Sequence, residues 1–84
     1  MTDIVDVDSP LPGVFFRRPA SDKPPFVETG DTVEAGQTLG LIEIMKQFAS
    51  LNSPVAGTVV EILVEDGANL DPGTVVVKVR PSDG

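Results

Sequence analysis

The chain resembles itself, and that internal repeat limits its fold more than any other feature of its 84 residues. Ser9-Pro10-Leu11-Pro12-Gly13-Val14-Phe15-Phe16 lines up with Ser53-Pro54-Val55-Ala56-Gly57-Thr58-Val59-Val60 at an offset of 44 residues. Val27-Glu28-Thr29-Gly30-Asp31-Thr32-Val33 lines up with Val64-Glu65-Asp66-Gly67-Ala68-Asn69-Leu70, and on through Gly36 and Gly73, at an offset of 37. The difference is a seven-residue insertion in the first half. Each half reads strand, loop, short strand, glycine turn, strand, and neither has enough apolar surface on one side to bury itself. Two halves facing each other predict a flattened antiparallel sandwich with a pseudo-two-fold axis. The connection between the halves then lies at one end and the termini meet at the other.

Local patterning agrees with an all-β domain. Eight glycines and eight prolines punctuate short runs rich in Val, Ile, Leu and Phe. In the last run, alternation turns Val75, Val77 and Val79 inward and Lys78 and Arg80 outward. No window carries helical periodicity with caps. The whole chain, 1–84, reads as one domain with frayed ends at 1–3 and 81–84.

Composition removes several kinds of chemistry. There is no cysteine or histidine, so disulfides, thiolate or imidazole metal sites and Cys- or His-based catalysis are excluded. A net charge of −7 argues against nucleic-acid backbones and anionic membrane surfaces as partners. The N-terminal residues show neither a basic nor an apolar targeting region, and no apolar run approaches the ~18 residues of a membrane span. A cytoplasmic location is the expectation. Asp3, Asp6 and Asp8 lack the spacing of a calcium loop, and the glycines stand singly at turns rather than in a phosphate cradle. No carboxylate pair suits acid–base work, and there is no nucleophile–base pair for an autonomous enzyme.

Two features remain. In residues 39–51 two apolar, β-prone segments flank Met45-Lys46 with no Gly, Pro, Asn or Asp between them at the fold-back. A tight hairpin favours Asn-Gly or Asp-Gly, because both central residues take positive φ. Met-Lys is a poor pair for shape alone, so another requirement selected it, and a protruding tip is where a modifying enzyme can reach an ε-amine. The second feature is the insertion within residues 17–26, Arg17-Arg18-Pro19-Ala20-Ser21-Asp22-Lys23-Pro24-Pro25-Phe26. Three prolines in that loop cannot donate to a sheet ladder, so it projects and is stiff. Arg17, Arg18 and Lys23 are half of the six basic residues.

These residues resemble the biotinyl/lipoyl carrier domains, most closely the biotin carboxyl carrier proteins of acetyl-CoA carboxylase. Glu43-Ile44-Met45-Lys46 stands for the family's Glu-Ala-Met-Lys-Met signature, and the two Ser-Pro segments open the two halves. The insertion matches in place and kind the "thumb" of acetyl-CoA carboxylase carriers. The likeness runs from about Ile4 to Val79. It implies a flattened barrel or sandwich of two four-stranded antiparallel sheets, with biotin joined to Lys46 by an amide. Met45, Glu43 and Gln47 form the hairpin that a biotin protein ligase recognises, and Ser21, Asp22, Lys23 and Pro24 are the implied thumb contacts to the cofactor. The resemblance further implies a non-catalytic carrier that takes a carboxyl group from a biotin carboxylase to a carboxyltransferase, in fatty acid biosynthesis. Two positions depart from the signature, Ile44 in place of Ala and Gln47 in place of Met. Two other functions use the same fold: a lipoyl carrier of a 2-oxoacid dehydrogenase, which carries Asp where this chain has Met45, and an unmodified assembly scaffold, to which Gln47 points.

Overall fold

The computed structural model describes residues 3–82, and among them there is no helix. Eight strands form in order: β1 (Val5–Asp8), β2 (Gly13–Phe16), β3 (Thr32–Val33), β4 (Thr38–Ile44), β5 (Gln47–Asn52), β6 (Gly57–Ile62), β7 (Asn69–Leu70) and β8 (Val75–Pro81). They make two four-stranded sheets, ordered β1-β8-β6-β3 and β5-β4-β2-β7, with every pairing antiparallel. The repeat carries β1 onto β5, β2 onto β6, β3 onto β7 and β4 onto β8. Under that exchange the first sheet order becomes the second, so the pseudo-two-fold of the sequence is the symmetry of the sandwich.

The halves do not form one sheet each. Each sheet takes two strands from each half, because β1 finds its partner in β8 and β6 pairs with β3. Interleaving lets each half cover the apolar face of the other, which neither could do alone.

The core follows the same symmetry. Val7 and Leu51, Phe15 and Val59, Val33 and Leu70, Leu39 and Val76, and Ile42 and Val79 are all buried and related by the repeat. The Ser-Pro segments have a structural role. Ser9 and Ser53 are 0% and 1% exposed, and their hydroxyls donate to the carbonyls of Leu11 and Val55 at 2.5 and 2.6 Å. Their backbone groups pair with the glycine turns: the Gly73 N–H donates to Ser9 O and the Gly36 N–H to Ser53 O, at 2.8 and 2.7 Å. A polar residue at the sheet corner is thus fully hydrogen-bonded, the condition for burying it.

Two expectations need correction. Val77 and Val79 are buried as the alternation requires, but Val75 is only half-buried and Val76 is fully buried. The pairing of β1 with β8 shifts between Val7 and Asp8, so Val76 is the extra residue of a β-bulge and turns into the core. Leu39, its repeat mate, is the extra residue of the matching irregularity in β4. At the C-terminal end, pairing runs further than expected. Pro81 belongs to β8 opposite Gly57, and the Ser82 N–H donates to Ala56 O at 2.9 Å. Asp3 is exposed and outside any strand, while residues 1–2 and 83–84 lie outside the described residues.

Candidate functional site: a lysine-tipped hairpin beside a thumb cleft

The connection between the halves is the β4–β5 hairpin. Its register runs from Gly40 opposite Leu51 to Ile44 opposite Gln47, which leaves Met45 and Lys46 as a two-residue loop. Their φ values are +51° and +67°, the two positive angles of a type I′ turn. They are the only non-glycine residues at positive φ among those described. An L-residue pays roughly 1–2 kcal/mol for that conformation, so the turn keeps two residues that folding alone disfavours.

The tip stands clear of the core. Met45 is 91% exposed, and Lys46 and Gln47 are exposed; Glu43, on the stem, is half-buried and pairs with Phe48 on one side and Val14 on the other. Among the described residues the single ion pair is Lys78 with Asp6 at 3.6 Å, so the Lys46 amine is not engaged by a carboxylate. Under the pseudo-two-fold, the mate of the β4–β5 hairpin is the β1–β8 pair, in which Val5 lies opposite Val79.

The thumb is held at its neck. The Phe26 N–H donates to Arg17 O (2.8 Å), the Arg17 N–H to Asp66 Oδ1 (2.8 Å), and Arg17 Nη2 to Val27 O (3.2 Å). A turn closed by the Lys23 N–H on Ala20 O (3.0 Å) forms its end. Between thumb and sheet lies a cleft of roughly 220 Å³. Phe16, Leu41 and Phe48 form its floor, and the Phe16 and Phe48 rings are 6.0 Å apart and tilted by 58°. The thumb contributes residues 18–21 and the β6–β7 loop contributes Asp66.

Of the thumb residues expected to contact a cofactor, Ser21 lines this cleft. Asp22, Lys23 and Pro24 are exposed and do not. Arg18, Pro19 and Ala20 line the cleft with Ser21, and residues 20–23 form the turn at the end of the thumb. The apolar floor was missed in the sequence, although the signal was there. With Ile42 and Leu51 inward, period two turns Leu41 and Phe48 outward, where an apolar side chain calls for a reason.

The repeat supplies an internal control. The mates of Leu41, Glu43 and Ser50 on the other sheet are Lys78, Arg80 and Asp6, and that outer face also carries Glu61. Of the three floor residues, Leu41 thus has a charged mate, whereas Phe16 and Phe48 have the smaller apolar mates Val60 and Ile4, and the thumb overhangs the face with the two rings.

Together, fold and tip define the class: a two-fold β-sandwich of the biotinyl/lipoyl type with a lysine at the end of its central hairpin. The chain belongs to the family described as "Biotin-requiring enzyme", which it matches over residues 5–79. It is 43% identical over 75 residues to the chloroplastic biotin carboxyl carrier protein of acetyl-CoA carboxylase 1 of Arabidopsis thaliana, covering 89% of this chain and 27% of that protein. It is 37% identical over 78 residues to the biotin carboxyl carrier protein of acetyl-CoA carboxylase of a Nostoc species, covering 93% and 43% of the two chains. The Streptococcus pyogenes counterpart is 43% identical over 74 residues, covering 88% of this chain and 45% of that one. This chain thus spans less than half the length of these relatives. Among solved structures, the Kluyveromyces lactis urea carboxylase superposes with a TM-score of 0.76 at 28% identity, over 92% of this chain and 6% of that enzyme.

Proposed function

We propose that this chain is the biotinyl carrier unit of a biotin-dependent carboxylase of the acetyl-CoA carboxylase type, with the cofactor in amide linkage to Lys46. The observation that carries this reading is the type I′ tip, which retains Met45 and Lys46 at positive φ against the preference of the turn. The surroundings fit the group. The amine is exposed and outside any ion pair among the described residues, and Phe48, two residues along the strand, opens the apolar cleft within roughly 7 Å of the Lys46 backbone. A lysine extended by a biotinyl chain reaches roughly 12–15 Å, so the cleft lies within the sweep of the arm.

Bound biotin supplies the carboxyl-transfer chemistry, and the protein supplies position. Lys46 tethers the arm, and tethering raises its local concentration at two successive active sites. Phe16, Leu41 and Phe48 offer an apolar resting surface, while Arg18 and Ser21 offer donors at its edge. Met45, Glu43 and Gln47 present the turn to a biotin protein ligase. The partners are then that ligase, a biotin carboxylase and a carboxyltransferase, with catalysis belonging to them.

Incubation with biotin protein ligase, biotin and ATP tests this directly. Intact mass should rise by one biotinyl group, and Lys46→Arg should abolish the gain without loss of fold. A wild-type chain that stays unmodified, or that accepts lipoate from a lipoate ligase and no biotin, overturns the reading.

A further inference from the structure

We propose that Met45 is an oxidation site, and that its redox state decides whether Lys46 can be loaded; this rests on the carrier reading above. Two observations meet at the residue. Met45 is 91% exposed, against 61% for Phe48 and 42–43% for Leu11, Ile4 and Leu63, the other exposed large apolar side chains among the described residues. It also sits at a φ of +51°, where Asn or Gly would suit the turn better. Neither packing nor backbone shape accounts for a thioether there. A flexible, polarisable side chain held in water beside the acceptor amine is a contact for another surface, an apolar pocket on the ligase.

The same exposure opens the sulfur to a hydroperoxide such as hydrogen peroxide. A sulfur lone pair attacks one peroxide oxygen, the S–O bond forms as the O–O bond breaks, sulfur is oxidised by two electrons, and the peroxide leaves as water. The product is a polar, chiral sulfoxide that methionine sulfoxide reductases return to the thioether. A sulfoxide pressed into an apolar pocket loses its hydrogen bonds to water without replacement, which disfavours the ligase encounter. The core is untouched, because the side chain is almost wholly in solvent. Oxidation therefore acts on recognition and leaves the fold alone.

The test compares untreated, peroxide-treated and reductase-repaired chain as ligase substrates, with peptide mapping to separate Met45 from Met1, the other methionine of the sequence. Treated chain should carry one oxygen at Met45, melt at an unchanged temperature and load biotin roughly tenfold more slowly or worse. Methionine sulfoxide reductase should restore the initial rate. Met45→Leu, whatever its own rate, should load equally before and after peroxide. Equal loading of oxidised and untreated wild type overturns the inference alone, as does a peroxide loss of the same size in Met45→Leu. Failure of the untreated wild type to load at all overturns the carrier reading together with it.

Discussion

Met45 and Lys46 are the only side-chain-bearing residues described that hold the left-handed backbone conformation, and both are exposed. If recognition is the reason, stability and loading should separate at this turn. Met45→Asn places a residue that tolerates the left-handed region and should raise stability by about 0.5–1 kcal/mol in urea denaturation, while slowing ligase loading. A substitution that neither stabilises nor slows loading removes the conflict on which the site assignment depends. Lys46 was legible in the sequence because the turn chemistry was wrong for its place. Phe48 was equally legible in principle from strand parity, but its meaning depends on the thumb that overhangs it, and no local pattern reveals that.

At the scale of elements, the thumb is an insertion that the repeat located and the structure explains. In the second half, residues 61–63 join the matching positions directly, whereas in the first half the chain leaves the sheet at Arg17 and returns at Phe26. One of the bonds at the thumb's neck comes from a side chain 49 residues away, Asp66, which accepts the Arg17 N–H. That loop also grips the end of β2, through the Gly67 N–H on Phe15 O and the Phe15 N–H on Ala68 O. Such a contact between distant loops leaves no periodic trace in the sequence. Asp66→Ala should therefore speed hydrogen exchange at the Arg17 amide and cost about 1 kcal/mol, with core amides such as Val59 unaffected. Asp66→Asn keeps the carbonyl acceptor and should retain most of the protection. Equal exchange in all three proteins would mean that the thumb is positioned by something other than this bond.

Across the whole molecule, the two-fold is kept by the backbone and broken by the side chains. On the outside, the break puts Lys78 on one sheet where the other has Leu41, and Val60 and Ile4 where the other has Phe16 and Phe48. In the core it appears as an exchange of volume, with Phe15 and Gly40 in one half where the other has Val59 and Val77. The alignment of the repeats shows the unequal pairs, but only the folded structure shows that the Phe15 ring lies over Gly40. A Cβ on Gly40 would run into the Phe15 ring, 2.8 Å from Cζ, and would lie 3.0 Å from Phe16 O. Gly40→Ala should thus cost about 1–3 kcal/mol by overpacking, and Phe15→Val roughly 2–4 kcal/mol by leaving a cavity. If the two positions share one volume, the double variant should fall short of the sum of the singles by at least about 0.5 kcal/mol in urea denaturation. The relief should be partial, because the Phe16 carbonyl stays where it is. Strict additivity would show instead that the halves tolerate their asymmetry independently, and that Gly40 is required by the backbone and not by the ring above it.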